Sequence, residues 1–236
     1  MGLNKYGVAA CSNAGPTKNL DPPDGIQLSR GEVLKEGLEY SSAKDAVKHT
    51  LGKLTDSRMK IPGILFFVDS NNIYVIEAHK NFAVIHITDG YVVRANRFLV
   101  LENNDINNEK TISSICRYSR GKQLLEESFG KIDRQRFIAF SMDHKNGPGT
   151  NSICRHSRDP KEAITVSASV MELDSEYPER SKISVALGSP CWAWRNSNGN
   201  FTFQMNDDIG RIPKNFFDGS AFLEYFKEEP FEKECT

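Results

Sequence analysis

Between residues 64 and 100 the chain carries four segments rich in Val, Ile, Phe and Tyr: Ile64–Val68, Ile73–Ala78, Phe82–Ile87 and Tyr91–Val100. The breaks between them are Asp69-Ser70-Asn71-Asn72, His79-Lys80-Asn81 and Thr88-Asp89-Gly90. Connections this short cannot carry a crossover, so consecutive strands must pair antiparallel. The centre of the chain therefore reads as an antiparallel meander with one side that needs cover.

Helical spacing on either side offers that cover. Leu34, Leu38, Ala43, Ala46, Val47 and Leu51 recur at roughly helical intervals, and Ser42 with Asp45 resembles a capping box opening the second of two helices. Thr111–Phe129 and Arg134–Met142 read as further helices. Gly7–Cys11 reads as a short strand ending in the turn formers Ser12, Asn13, Ala14 and Gly15. Ile164–Leu173, Ile183–Leu187 and Phe201–Met205 read as three more strands. Helices grouped around antiparallel strands define an α+β layered domain. The loop-like stretches Gly15–Gly25 and Glu102–Lys110 do not look like interdomain linkers, because the apolar segments beside them are short and need each other's burial. Residues 1–236 thus read as a single domain.

Composition narrows the function classes. Apolar residues make up 39% of 236, enough for a packed core. Lys and Arg number 30 against 31 Asp and Glu, a formal net charge of -1. Non-specific nucleic-acid binding needs a basic surface, so no nucleic-acid partner is expected. The longest apolar run, Ile61–Val68, is broken by Pro62 and Gly63, so no membrane span is expected. Met1-Gly2-Leu3-Asn4-Lys5 lacks a signal-peptide core, and Tyr6 stands where a myristoylation motif wants Ser or Thr. Five cysteines, at 11, 116, 154, 191 and 235, are widely spaced without a CxxC pair. The simple reading is a cytoplasmic chain with reduced thiols and no zinc site. Nor is a cofactor expected, since GxGxxG and βαβ alternation are missing.

Taken singly, the polar residues do not define a reaction. There is no GxSxG elbow and no HExxH pair. Cys116 precedes Arg117, and Cys154 precedes Arg155 and His156. A neighbouring cation favours thiolate, but adjacent residues point in different directions, and small buried cysteines read the same way. Asp143-His144 and Arg155-His156 sit in loops rich in Gly, Pro and Asn, where sites concentrate and where plain solvated loops are also common.

Five segments read in order are more specific. Gly2-Leu3-Asn4-Lys5-Tyr6-Gly7-Val8 through Asn13 resembles the Gly-Leu/Met-Asn…Asn segment of N-terminal-nucleophile hydrolases. Arg94-Ala95-Asn96-Arg97-Phe98-Leu99 resembles their Thr-Asn-His-Phe-Leu segment. Ser152-Ile153-Cys154-Arg155-His156, then Thr165 to Leu173, then Ala186-Leu187-Gly188-Ser189-Pro190-Cys191 follow. The run is similar to the C-terminal half of the acyl-coenzyme A:6-aminopenicillanic acid acyltransferase family, from residue 2 to about Cys191.

The resemblance implies a four-layer αββα fold and attack on an amide or thioester carbonyl by an N-terminal cysteine freed by self-cleavage, with the terminal amine as base. The substrate would be a small-molecule amide or acyl donor, passed to water or to an amine. Asn96 matches the asparagine assigned to the oxyanion hole; read alone, it ends a strand. Asn13 matches a second carbonyl-binding asparagine; read alone, it is a turn residue. Arg117 resembles an arginine held near the nucleophile; read alone, it is a surface helix arginine. The resemblance also places His144, Arg155 and His156 near the substrate cleft. Arg97 departs from the family, which usually has His there.

The larger departure is positional. The nucleophile should precede the Gly-Leu-Asn segment, inside which the chain begins, and none of the five cysteines matches it. The expectation is an N-terminally shortened domain, inactive alone. The alternative is a non-catalytic binding or interaction module keeping the fold, completed by an N-terminal partner segment or a homo-oligomer. A third reading pairs Cys154 with His156 as a cysteine enzyme.

Overall fold

A computed structural model of the chain describes residues 1–15, 25–101, 109–147, 149–157, 159, 161–207 and 213–217. The fold is α+β with antiparallel sheets. It forms two compact units, residues 1–114 with 173–181, and residues 115–172 with 182 onward. Among the described residues, no helix is long and apolar enough to cross a membrane.

The first unit runs β1 (Gly2–Leu3), β2 (Ala9–Ala14), β3 (Gln27–Leu28), α1 (Arg30–Gly37), α2 (Ala43–Asp56), β4 (Arg58–Met59), β5 (Gly63–Val68), β6 (Ile73–Ala78) and β7 (Phe82–Ile87). Five strands form one sheet in the order β1-β2-β5-β6-β7, every pair antiparallel, so the meander over 64–87 forms as its short breaks require. A parallel pair, β3 with β4, stands apart.

Both helices open on serine caps. Ser29 and Glu32 complete a capping box on α1, and the Ser42 hydroxyl accepts from the Asp45 amide at 3.1 Å on α2. Such caps contribute about 1 kcal/mol each. The helices lay Val33, Leu34, Ala46, Val47 and Leu54 against Leu65, Phe67, Tyr74 and Ile76, which form one buried core. Gly37 permits the close approach of α1, since a Cβ there would lie 2.2 Å from Phe67 Cε1. On the alternate positions Ile64, Val75 and Glu77 are fully buried as well. Burial of both faces explains why β5 and β6 read as continuous apolar runs rather than alternating ones.

Two expectations for this unit are corrected. Ser12, Asn13 and Ala14 do not turn; they extend β2, pairing with Leu65, Ile64 and Gly63. The ladder with β5 outweighs their turn preference. Tyr91–Val100 is not a fourth hairpin strand but irregular chain. Its later amides, those of Leu99 and Val100, donate to the Glu77 carboxylate instead of to a neighbouring strand. Of the stretch Gly15–Gly25, residues 16–24 lie outside the described residues. Residues 102–108 of the Asn-rich stretch do too, whereas residues 109 and 110 already belong to a helix.

That helix, α3 (Glu109–Ser128), leads into the second unit, which continues with α4 (Arg134–Ser141), β8 (Ser167–Glu172), β9 (Lys182–Leu187), α5 (Pro190–Ala193) and β10 (Asn200–Gln204). The three strands form an antiparallel sheet in the order β10-β9-β8. Asp133 caps α4 through the Arg136 amide at 2.8 Å. Trp192, Ala193 and Ala186 make a small core, and Trp194 Nε1 donates to Ser141 Oγ at 2.9 Å, tying α5 to α4.

Candidate functional site

The first unit brings the two motif asparagines together. Asn13 near the end of β2 donates through Nδ2 to the Arg94 carbonyl at 3.2 Å. Asn96 donates through Nδ2 to the Ala14 carbonyl at 3.1 Å. The two segments, more than eighty residues apart, thus brace one another with reciprocal amide-to-carbonyl bonds. Asn13 is half-buried and Asn96 exposed, so the brace lies at the surface end of β2.

Asn4, the asparagine of the Gly-Leu-Asn segment, has a different task. It is buried, its Oδ1 accepts from the Tyr6 and Val8 amides, and its Nδ2 donates to the Leu38 and Tyr40 carbonyls. Its amide is fully occupied in holding the turn before β2 against the end of α1.

Glu77 fixes the segment that bears Asn96. Its carboxylate, 0% exposed, accepts from the backbone amides of Leu99, Val100 and Leu101 at 2.9–3.0 Å and from Arg94 Nε at 3.2 Å. A buried carboxylate is tolerable only when paired and hydrogen-bonded to this extent. Sequence reasoning missed this residue; the signal available was one carboxylate inside the apolar strand Ile73–Ala78.

The remaining predicted residues lie in the second unit. Arg117 on α3 is half-buried, and its guanidinium is pushed down to about 10, first by burial and then by the charge of Arg155. Burial also lowers Arg155. Asp143 binds Arg120 through Oδ2, at 2.9 Å to Nε and 2.7 Å to Nη2. Its carbonyl accepts from the Cys154 amide at 3.1 Å. The neighbouring His144 is thereby held beside the Ser152–His156 segment, and its Nε2 lies 2.9 Å from His156 Nε2.

Two cysteines complete this group. Cys154 Sγ and Cys191 Sγ lie 3.4 Å and 3.3 Å from His156 Nε2, and the donor atoms of His144, Cys154, His156 and Cys191 all fall within 4.8 Å of one another. Cys154, His156 and Cys191 are buried, and Ser189, fully buried, reaches both sulfurs and His156. Hydrogen bonding to Cys154 and burial push the Cys191 thiol well above its ordinary range. Burial likewise raises Cys11 on β2. Neither is an activated thiolate, and the solvent-shielded Cys154–His156 pair gives a substrate no approach. The wide cysteine spacing that argued against a metal site is no obstacle, because folding gathers these four residues from three separate segments.

No known family model matches the sequence, and no curated protein does.

Proposed function

We propose that the chain belongs with the acyl-coenzyme A:6-aminopenicillanic acid acyltransferases, in their four-layer αββα N-terminal-nucleophile fold, and serves acyl transfer to, or hydrolysis of, a linear amide. The reaction in this reading is attack by a thiol on the carbonyl carbon. The C–N bond breaks, the amine leaves with a proton delivered by the terminal-amine base, and the thioester passes its acyl group to water or to a second amine. Asn13 and Asn96 are the neutral donors to the carbonyl oxygen as it gains charge.

The single observation carrying this reading is the reciprocal brace between Asn13 and Asn96. Two segments picked out by resemblance alone lie against each other, as parts of one carbonyl-binding site must. Glu77 supports them, holding the Asn96 segment through three backbone amides. The family reading assigns the attacking thiol to an N-terminal cysteine, and the assay uses the full-length protein.

That protein is offered acyl-amino acids, acyl-amines and a side-chain penicillin, and amine release is followed. Asn96→Ala should lower kcat by about 10²–10³, the usual loss for one oxyanion donor, with KM little changed. Folded wild-type protein that turns over none of these amides would favour the alternative, a non-catalytic binding or interaction module in which both amides merely tie backbone, and turnover unchanged in Asn96→Ala would remove Asn96 from the reaction.

A further inference from the structure

The described chain between α4 and β8 has no helix or strand, yet Ser152, Cys154 and His156 within it are buried. Irregular segments this long inside a compact unit are uncommon, and ordering one costs conformational entropy that something must offset. Hydrogen bonds supply part of the hold. Cys154 donates to Asp143, Arg155 and Thr165 exchange bonds, and Ser152 donates to Gly147.

The group at its centre is not accounted for by hydrogen bonding. His156 Nε2 has four neighbours: His144 Nε2 at 2.9 Å, Ser189 Oγ at 3.3 Å, Cys191 Sγ at 3.3 Å and Cys154 Sγ at 3.4 Å. One ring nitrogen carries either one hydrogen or one lone pair, so it serves one good hydrogen bond. Two imidazole nitrogens and two sulfurs gathered within 4.8 Å of one another are instead the donor set of a four-coordinate soft-to-borderline cation. With Zn–N near ~2.0–2.1 Å and Zn–S near ~2.3 Å, a tetrahedron has N–N and N–S edges of about 3.4 Å and about 3.6 Å. The three separations at His156 Nε2, 2.9 Å and 3.3–3.4 Å, are those edges slightly contracted, and the other donor atoms lie within 4.8 Å of one another.

We propose that His144, Cys154, His156 and Cys191 bind one zinc ion in a closed Cys₂His₂ site that clips the irregular segment to the start of α5. All four positions come from the protein, three of the four ligands are buried, and such a site is structural rather than catalytic. Both thiols lose their protons on binding, and the Ser189 hydroxyl, nearer Cys191 Sγ at 3.1 Å, donates to one of the resulting thiolates. The Arg120–Asp143 pair acts from outside, fixing the backbone that presents His144 and, through the Asp143 carbonyl, Cys154. This site is independent of the acyl-transfer reading, and it gives His144 and His156 a role other than binding substrate.

The test is the metal content and zinc absorption-edge structure of the full chain purified without chelator under reducing conditions. The expected result is one zinc per chain with a first shell of two sulfurs at about 2.3 Å and two nitrogens at about 2.0–2.1 Å. Cobalt substitution should give tetrahedral ligand-field bands with thiolate charge transfer. Cys191→Ser should weaken that charge transfer by about half or lose the metal, while Cys116→Ser keeps both. A folded wild-type chain without zinc and without a cobalt spectrum overturns the proposal. So does a zinc shell of nitrogen and oxygen only, or a Cys154–Cys191 disulfide in place of metal. These wild-type readouts stand even if the variant does not fold.

Discussion

Replacing Glu77 by Gln removes one charge and almost no volume from a fully buried, heavily hydrogen-bonded side chain of the first unit. The carboxylate takes three backbone amides and Arg94 Nε, and the Arg94 side chain is itself only 8% exposed. A Gln amide supplies one acceptor oxygen. Its NH₂ must then face either the amides of Leu99–Leu101 or the guanidinium, donor against donor. Removing one partner of a buried ion pair costs about 3–5 kcal/mol, and each orphaned amide about 1–3 kcal/mol before water relieves it. We expect Glu77→Gln to lower the unfolding free energy by about 3–5 kcal/mol and Glu77→Ala by at least as much. Urea unfolding with an unchanged m value measures it. Adding Arg94→Met to Glu77→Gln should cost less than the two single changes summed, because the uncompensated charge is then gone. A Glu77→Gln loss below about 1 kcal/mol would refute the argument that this carboxylate organises the 94–101 segment.

Three further outcomes follow from the first unit. Thr50 on α2 is fully buried and its hydroxyl has no partner among the described residues, so Thr50→Val should stabilise by about 1 kcal/mol in thermal or urea unfolding. Gly37→Ala drives a methyl into the Phe67 ring, and overpacking of about 1–3 kcal/mol should exceed the gain of up to about 1 kcal/mol in helix propensity, lowering Tm. Burial, then Lys80, lowers the pKa of His79. The unfolded chain therefore binds this proton more readily, and the contribution of neutral His79 is complete above about pH 6.5 and lost as pH falls toward the folded value. His79→Gln should flatten that part of the stability–pH curve relative to wild type; an unchanged slope would count against it.

The strands over 64–87 were legible because short polar breaks leave only hairpins, and the main helices because apolar spacing and serine caps agree. Tyr91–Val100 was not legible, since its β-branched and aromatic composition is that of a strand. The amides at its end go to Glu77 instead, whose ability to gather them depends on burial. The turn formers Ser12–Ala14 misled for the converse reason: pairing with β5 is a tertiary fact. Asn13 and Asn96 could be singled out through their surrounding motifs, but their reciprocal bonding could not. The Cys/His group is hidden in the sequence because its ligands do not share one segment. His144, Cys154 with His156, and Cys191 come from three, aligned by the backbone tie between Asp143 and Cys154 and the Ser189–Cys191 side-chain contact.

The central claim, a thiol-borne acyl intermediate beside the Asn13–Asn96 brace, is met most directly by intact-protein mass spectrometry. Full-length protein is quenched in acid during turnover of a reactive acyl donor. The account predicts a mass increment equal to one acyl group, mapped by peptide analysis to an N-terminal cysteine and diminished in Asn96→Ala. Turnover without an adduct, or an adduct on Cys154 or Cys191, would contradict it.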